Sequence, residues 1–223
     1  MLKQAGINFN LAPVVDLNVY NENPIIGRYD RSFSAEPSVV AAHATAWIAE
    51  HRREGIQSCI KHFPGHGSSR TDSHLGFVDI TATWQDDELE PYRLLFNRGQ
   101  VEAVMVGHLF NRKFDTDYPA TLSRQTLQSL LRGSLNFRGM IVSDDMQMRA
   151  ITSRYGLEDG CCRALAAGID LLIVGNNLVH DPHIFSKLKT AVLTAIDRGK
   201  ISERRIDEAW NIIQNFKASL VKQ

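Results

Sequence analysis

The chain has 223 residues, 43% of them hydrophobic and 22% charged, which is enough apolar content for one large buried core and too much for a disordered segment. Its 25 basic and 25 acidic side chains cancel, so no overall field draws it to nucleic acid or to an anionic membrane, and a neutral ligand fits best. Cys59, Cys161 and Cys162 are an odd set with two adjacent, a poor disulfide framework that suits a reducing compartment, and a cytoplasmic location is expected. The amino end does not read as a leader peptide, and no apolar run reaches membrane-spanning length.

Apolar runs of strand length alternate along the chain with amphipathic stretches of helix length, the pattern of a parallel α/β fold whose strands are buried on both faces. The run INFNLAPVVD (7–16) predicts a first strand ending in Asp16. A helix over 37–54, stopped by Gly55, leads to a second strand, IQSCIKH (56–62), which ends in Lys61 and His62. A helix over 86–98, stopped by Gly99, precedes the strand AVMVGH (103–108), ending in His108. Ser123 is placed to cap a helix over 124–131, and the strand GMIVSDD (139–145) follows, ending in Asp144 and Asp145. A helix over 157–167 with Gly168 after it leads to DLLIVGN (170–176), ending in Asn176 and Asn177. Helices over 184–198 and 203–220, the second opened by Ser202, complete a chain with no internal repeat or linker, and one domain over 1–223 is expected.

Every predicted strand therefore finishes on a polar residue able to do chemistry. In a parallel sheet all carboxyl ends lie along one edge, and in barrels and open α/β sheets that edge carries the site. Any one of these residues has an ordinary reading as a cap or a hydrogen-bonded core group; five on one edge point to a ligand site.

The densest segment is KHFPGHGSSRTDSH, residues 61–74. His62, His66, Asp72 and His74 form a set of nitrogen and oxygen ligands, yet Pro64 and Gly65 prevent the first two from sitting one helical turn apart and no cysteine joins them, so no metal is expected. A phosphate loop is disfavoured because Lys61 precedes the glycines rather than following them. Acid/base chemistry fits better. Asp72 and His74 are two apart, so in an extended loop both can face one side, and the carboxylate can fix the tautomer of the imidazole. Gly65, Gly67 and Gly76 let such a loop reach over the site. Asp144, the first acid after the buried strand, is then the candidate nucleophile.

KHFPGHG followed by DSH, then GMIVSDDM, together with LAPVVDLN and NPIIGRYDRSFSAEP, closely resemble the bacterial β-N-acetylglucosaminidases of glycoside hydrolase family 3, in order along nearly the whole chain. The resemblance implies a (β/α)8 TIM barrel and retaining hydrolysis of terminal β-linked N-acetylglucosamine, as in cell-wall recycling, without a cofactor. It implies Asp144 as nucleophile, His74 as acid/base and Asp72 as its partner, with Lys61, His62 and Arg31 on the sugar hydroxyls. Asp16, His108 and Asn176 join the expected substrate contacts from the strand-end argument alone. An imidazole in place of the usual second carboxylate, with an unperturbed pKa of about 6.5, needs no shift to donate a proton near neutrality.

The family's Asp-Gln-Glu-Gly-Gly strand end and a nearby sugar-binding arginine have no counterpart here, so about five strands of the barrel are expected, with the N-terminal βα units missing. Such a sheet would open interior residues such as Val14, Ile60, Val104, Val142 and Ile173, so the chain is expected either to associate with a second copy or a complementary chain or to be poorly stable alone. The other reading of the same sequence is a catalytically compromised fragment acting as a sugar-binding or scaffold protein. The exact glycan, and whether water or phosphate is the acceptor, are left open by the sequence.

Overall fold

The structure, a computed structural model, describes residues 1–73 and 75–221. In chain order its main elements are β1 (Phe9–Asn10), α1 (Pro37–Arg53), β2 (Gln57–Phe63), β3 (Val78–Asp79), α2 (Glu90–Asn97), β4 (Ala103–Val106), β5 (Leu109–Phe110), a π-helix (Gln125–Ser134), β6 (Met140–Asp145), α3 (Arg149–Tyr155), α4 (Leu157–Ala167), β7 (Leu171–Ile173), α5 (Ile184–Asp197) and α6 (Glu203–Val221). All five predicted strands are present, shortened at one or both ends, and they pair in parallel in the order β1-β2-β4-β6-β7. The sheet is an incomplete TIM-barrel-like α/β unit with β1 and β7 at its two edges. The small pair β3-β5 and helix α3 have too few residues to show a period, and the sequence gives no sign of them.

The predicted punctuation is visible. Gly55 and Gly99 take left-handed φ values of 75° and 64° just after α1 and α2, where a side chain would be strained. Ser123 Oγ accepts the Thr126 N–H at 2.9 Å, and Ser202 Oγ accepts the Arg205 N–H at 3.2 Å, each satisfying a donor that the first helical turn leaves unpaired.

Strand residues alternate between two apolar layers. Ile60, Val104, Val106 and Ile141 face outward and pack with Val40, Ala44 and Ile48 of α1, Tyr92 and Leu95 of α2, and Ala164 of α4. Their neighbours Cys59, Met105, Met140 and Val142 face the other way and pack with Ile212, Ile213 and Phe216 of α6. Two of the residues expected in the open interior are thus corrected: Ile60 and Val104 lie in the helix-covered layer, fully buried. Val142 does lie on the inner face but is also fully buried, under α6.

Helix α6 reaches along the amino ends of the strands. Arg205 binds Asp170 beside β7, the Phe216 ring lies 4.8 Å from that of Phe9 in β1, and Gln57 at the start of β2 donates to Ser219 Oγ at 3.1 Å. The carboxyl ends of the strands are left for the site. Among the described residues no helix is long and apolar enough to cross a membrane.

Candidate active site

The chain after β1 runs beside β2: Val15 N donates to Lys61 O at 2.8 Å, and Lys61 N donates to Pro13 O at 3.2 Å. This pairing sets Asp16 against His62. One carboxylate oxygen accepts His62 Nδ1 at 2.7 Å, and the other accepts the backbone N–H of His62 at 3.1 Å and of His66 at 2.8 Å. Burial alone would raise the Asp16 pKa, but its interactions with the His62 ring and with the His62 and His66 N–H groups outweigh it and hold the carboxyl below its ordinary range. An ionised Asp16 can only accept, so the His62 proton sits on Nδ1 and Nε2 is the ring atom through which His62 acts on a ligand. The peptide bonds Lys61–His62 and Phe63–Pro64 are cis.

Asp144 stands at the carboxyl end of β6, half-buried, and its Oδ1 accepts the Asp145 N–H at 2.8 Å. Burial works against its charge, yet His62, His108, the Asp145 N–H and Lys61 together keep its pKa below the ordinary value. At neutral pH it is a carboxylate facing cationic and hydrogen-bonding groups, the state a nucleophile requires. Lys61 is pushed down chiefly by burial and by Arg31, with Asp144 opposing. Lys61, Arg31, His62 and Asp144 therefore share one electrostatic neighbourhood although they come from three segments of the chain. Arg31 is itself anchored, Nη1 donating to Ile25 O at 2.8 Å.

Three residues expected at the sugar have partners within the protein. Asp16 is 1% exposed and spends its carboxylate on His62 and His66. His108, also 1% exposed, donates from Nε2 to the Asp145 carbonyl at 3.0 Å and has Nδ1 2.8 Å from the Thr121 hydroxyl. Burial lowers its pKa, and the Thr121 hydroxyl also donates to the Gly107 carbonyl at 2.9 Å. Asn176, at φ 52°, turns its amide onto Asp181, accepting the N–H at 2.9 Å and donating to the carbonyl at 3.0 Å. Asp16 and His108 brace the strand ends from within, and Asn176 ties the chain after β7 to Asp181.

Asp72 is half-buried in the loop after β2, and His74 lies outside the described residues, so the geometry of the expected dyad is not described. The loop's root is well defined. His66, read from the sequence only as a metal candidate, has Nδ1 2.6 Å from Ser69 Oγ and Nε2 3.3 Å from Ser73 Oγ, and burial lowers its pKa to about 4, so it is a neutral spacer. Asn23, which the sequence did not single out, donates to His66 O at 2.7 Å and Gly67 O at 2.9 Å while accepting the N–H groups of Ile25 and Ile26. Asn before Pro24 signals a turn, but nothing local indicates that its amide ties the loop to the segment carrying Arg31. Gly67 is required by contact: a Cβ there would lie 1.9 Å from Leu17 O. Among the described residues no three His, Cys, Asp or Glu side chains converge as a metal site would.

Residues 1–216 match the profile described as the Glycosyl hydrolase family 3 N terminal domain. This chain belongs to glycosyl hydrolase family 3. Among curated members it is 40% identical over 174 residues to a beta-hexosaminidase of Tolumonas auensis, covering 77% of this chain and 51% of that one. It is 36% identical over 216 residues to the beta-hexosaminidase LpqI of Mycobacterium tuberculosis, covering 90% of this chain and 54% of that one. The family 3 chain thus spans about half the length of these curated relatives. Among solved structures, a family 3 beta-N-acetylglucosaminidase from Paenibacillus sp. superposes with a TM-score of 0.91 at 34% identity, over 99% of this chain and 41% of that one. The fold and family expected from KHFPGHG, DSH and GMIVSDDM are the ones found.

Proposed function

We propose that this chain carries the catalytic centre of a retaining β-N-acetylhexosaminidase that removes terminal β-linked N-acetylglucosamine. The observation that carries the reading is Asp144: a carboxylate at the open end of β6, held ionised by His62, His108 and Lys61, on the sheet edge where a parallel α/β protein builds its site.

In this reading Asp144 attacks the anomeric carbon and forms a glycosyl ester, while His74 gives its proton to the departing glycosidic oxygen. Water then attacks the same carbon from the side the leaving group vacated, His74 takes its proton, and the Asp144 carboxylate is released. Two inversions give net retention. Asp72 accepts from the imidazole of His74 and favours its protonated form. Lys61, His62 through Nε2, and Arg31 bind sugar hydroxyls, and Asp16 keeps His62 in place.

A role in cell-wall recycling within the cytoplasm is part of the same reading, and Cys59, Cys161 and Cys162, all free, suit a reducing compartment. The two sheet edges at β1 and β7 support association with a second copy or a complementary chain, which light scattering on the purified chain tests. For the chemistry, proton NMR during hydrolysis of a 4-nitrophenyl β-N-acetylglucosaminide should show the β-anomer of the sugar first, and Asp144→Ala should remove nearly all turnover. An initial α-anomer, or an active Asp144→Ala variant, refutes the nucleophile.

A further inference from the structure

The buried acid Glu88 has no part in the chemistry above. It is 1% exposed, in the 3-10 turn Asp86–Leu89 that leads into α2, and it reaches across to the root of the acid/base loop. One carboxylate oxygen accepts the Ser68 N–H at 3.3 Å and the other accepts the Gln85 N–H at 3.3 Å. Gly65 packs so closely on this side chain that an added Cβ would lie 2.7 Å from Glu88 Cβ and 2.9 Å from its Oε2. Four residues earlier, Trp84 Nε1 donates to Pro64 O at 3.1 Å. The segment 84–88 thus buckles the loop at Pro64, Gly65 and Ser68, immediately before the stretch that bears Asp72 and His74.

We propose that Glu88 is a positioning residue for the acid/base loop, which it holds in working register through the Ser68 N–H when its carboxyl is ionised and releases on protonation. The inference rests on the hydrolase reading above and deepens it. A carboxylate accepts both N–H groups in charge-assisted hydrogen bonds, whereas a neutral carboxyl is a weaker acceptor and adds an O–H donor, so its hold on these N–H groups weakens. Burial raises the Glu88 pKa to about 7, against the opposing hydrogen bonds from Ser68 and Gln85, so both forms are populated near neutrality. The titratable groups that interact with it are Asp16 from the segment after β1 and Tyr92 on α2, and His66 lies two residues before Ser68 on the loop. Asp16 lies below its ordinary range, His66 is at about 4 and Tyr92 is well above its ordinary range, so none of them changes charge between pH 5.5 and 8.5.

The test compares wild type with Glu88→Gln across that pH interval. In 15N-resolved NMR of the 223-residue chain, the Ser68 and Gln85 amide resonances should titrate together with a midpoint near 7 in wild type and stay constant in the variant. For kcat/KM on an alkyl β-N-acetylglucosaminide, whose leaving group needs a proton, the variant should be about tenfold slower at pH 8.5, the rate equivalent of one hydrogen bond to a charged group. The gap should close below pH 5.5, where both side chains are neutral. A nitrophenyl glycoside should show little difference at any pH. A pH-independent ratio, or equal loss on both substrates, overturns the proposal and leaves Glu88 a packing residue. Wild type inactive on the nitrophenyl glycoside counts against the hydrolase reading instead, and the amide titration then decides Glu88 by itself. Should Glu88→Gln fail to fold, a wild-type Ser68 amide that does not move between pH 5.5 and 8.5 overturns the proposal equally.

Discussion

Replacing Asp16 by asparagine keeps the shape of the side chain and removes one acceptor. Oδ1 can still serve the backbone N–H groups of His62 and His66, but an amide NH2 now faces His62 Nδ1 across 2.7 Å. Two donors cannot share that contact, so the imidazole has to give up its Nδ1 proton, accept from the amide and carry the proton on Nε2. The lost interaction is a buried charge-assisted hydrogen bond, worth about 1.5–3 kcal/mol net. With a urea m-value of about 2 kcal/mol/M, the denaturation midpoint at pH 7 should fall by about 1 M.

The pH dependence has a definite sign. Asp16 is held below 3.8 in the folded protein, so its contribution is fully present above that value and is lost as pH falls through the lowered folded pKa. The gap between wild type and Asp16→Asn should therefore be narrower at pH 3 than at pH 7. Urea melts at the two pH values measure it, and long-range 15N correlation spectra of His62 report the tautomer. Equal midpoints at pH 7, or a variant in which Nδ1 keeps its proton, would refute the coupling of Asp16 to His62.

Gly67→Ala should destabilise by about 1–3 kcal/mol or more, because the new Cβ meets the Leu17 backbone oxygen, which cannot rotate away; an unchanged thermal midpoint would show that the contact yields. His74→Ala should slow kcat/KM about a hundredfold for alkyl glycosides and little for a nitrophenolate, and equal losses along a leaving-group series would make His74 a binding residue. Thiol labelling of the native chain should modify Cys162 first. Cys59 is fully buried and its pKa is raised mainly by that burial, and Cys161 is raised by burial to about 12, so both should wait for unfolding; early labelling of Cys59 would contradict the covered inner face.

The sequence by itself determined the five parallel strands, because each is an apolar run of strand length bounded by glycines and caps, and such signals act over a few residues. It also pointed to the carboxyl edge as the place of the proposed chemistry, since strands of one direction end together, and KHFPGHG and SDDM are contiguous strings that need no third dimension to be read. Only the tertiary structure decided which residues face which layer. Runs such as IQSCIK and AVMV are apolar at both parities when both faces are covered, so nothing in them says that Ile60 and Val104 turn to the helices while Cys59 and Met105 turn to α6. It alone decided that Asp16 and His108 spend their polar atoms inside the protein, that Asn176 turns onto Asp181, and that Asn23 and Glu88 hold the loop from opposite sides in sequence. These pairings join positions tens of residues apart, and whether a strand-end polar group meets a ligand or a neighbour depends on distances of a few ångströms set by packing.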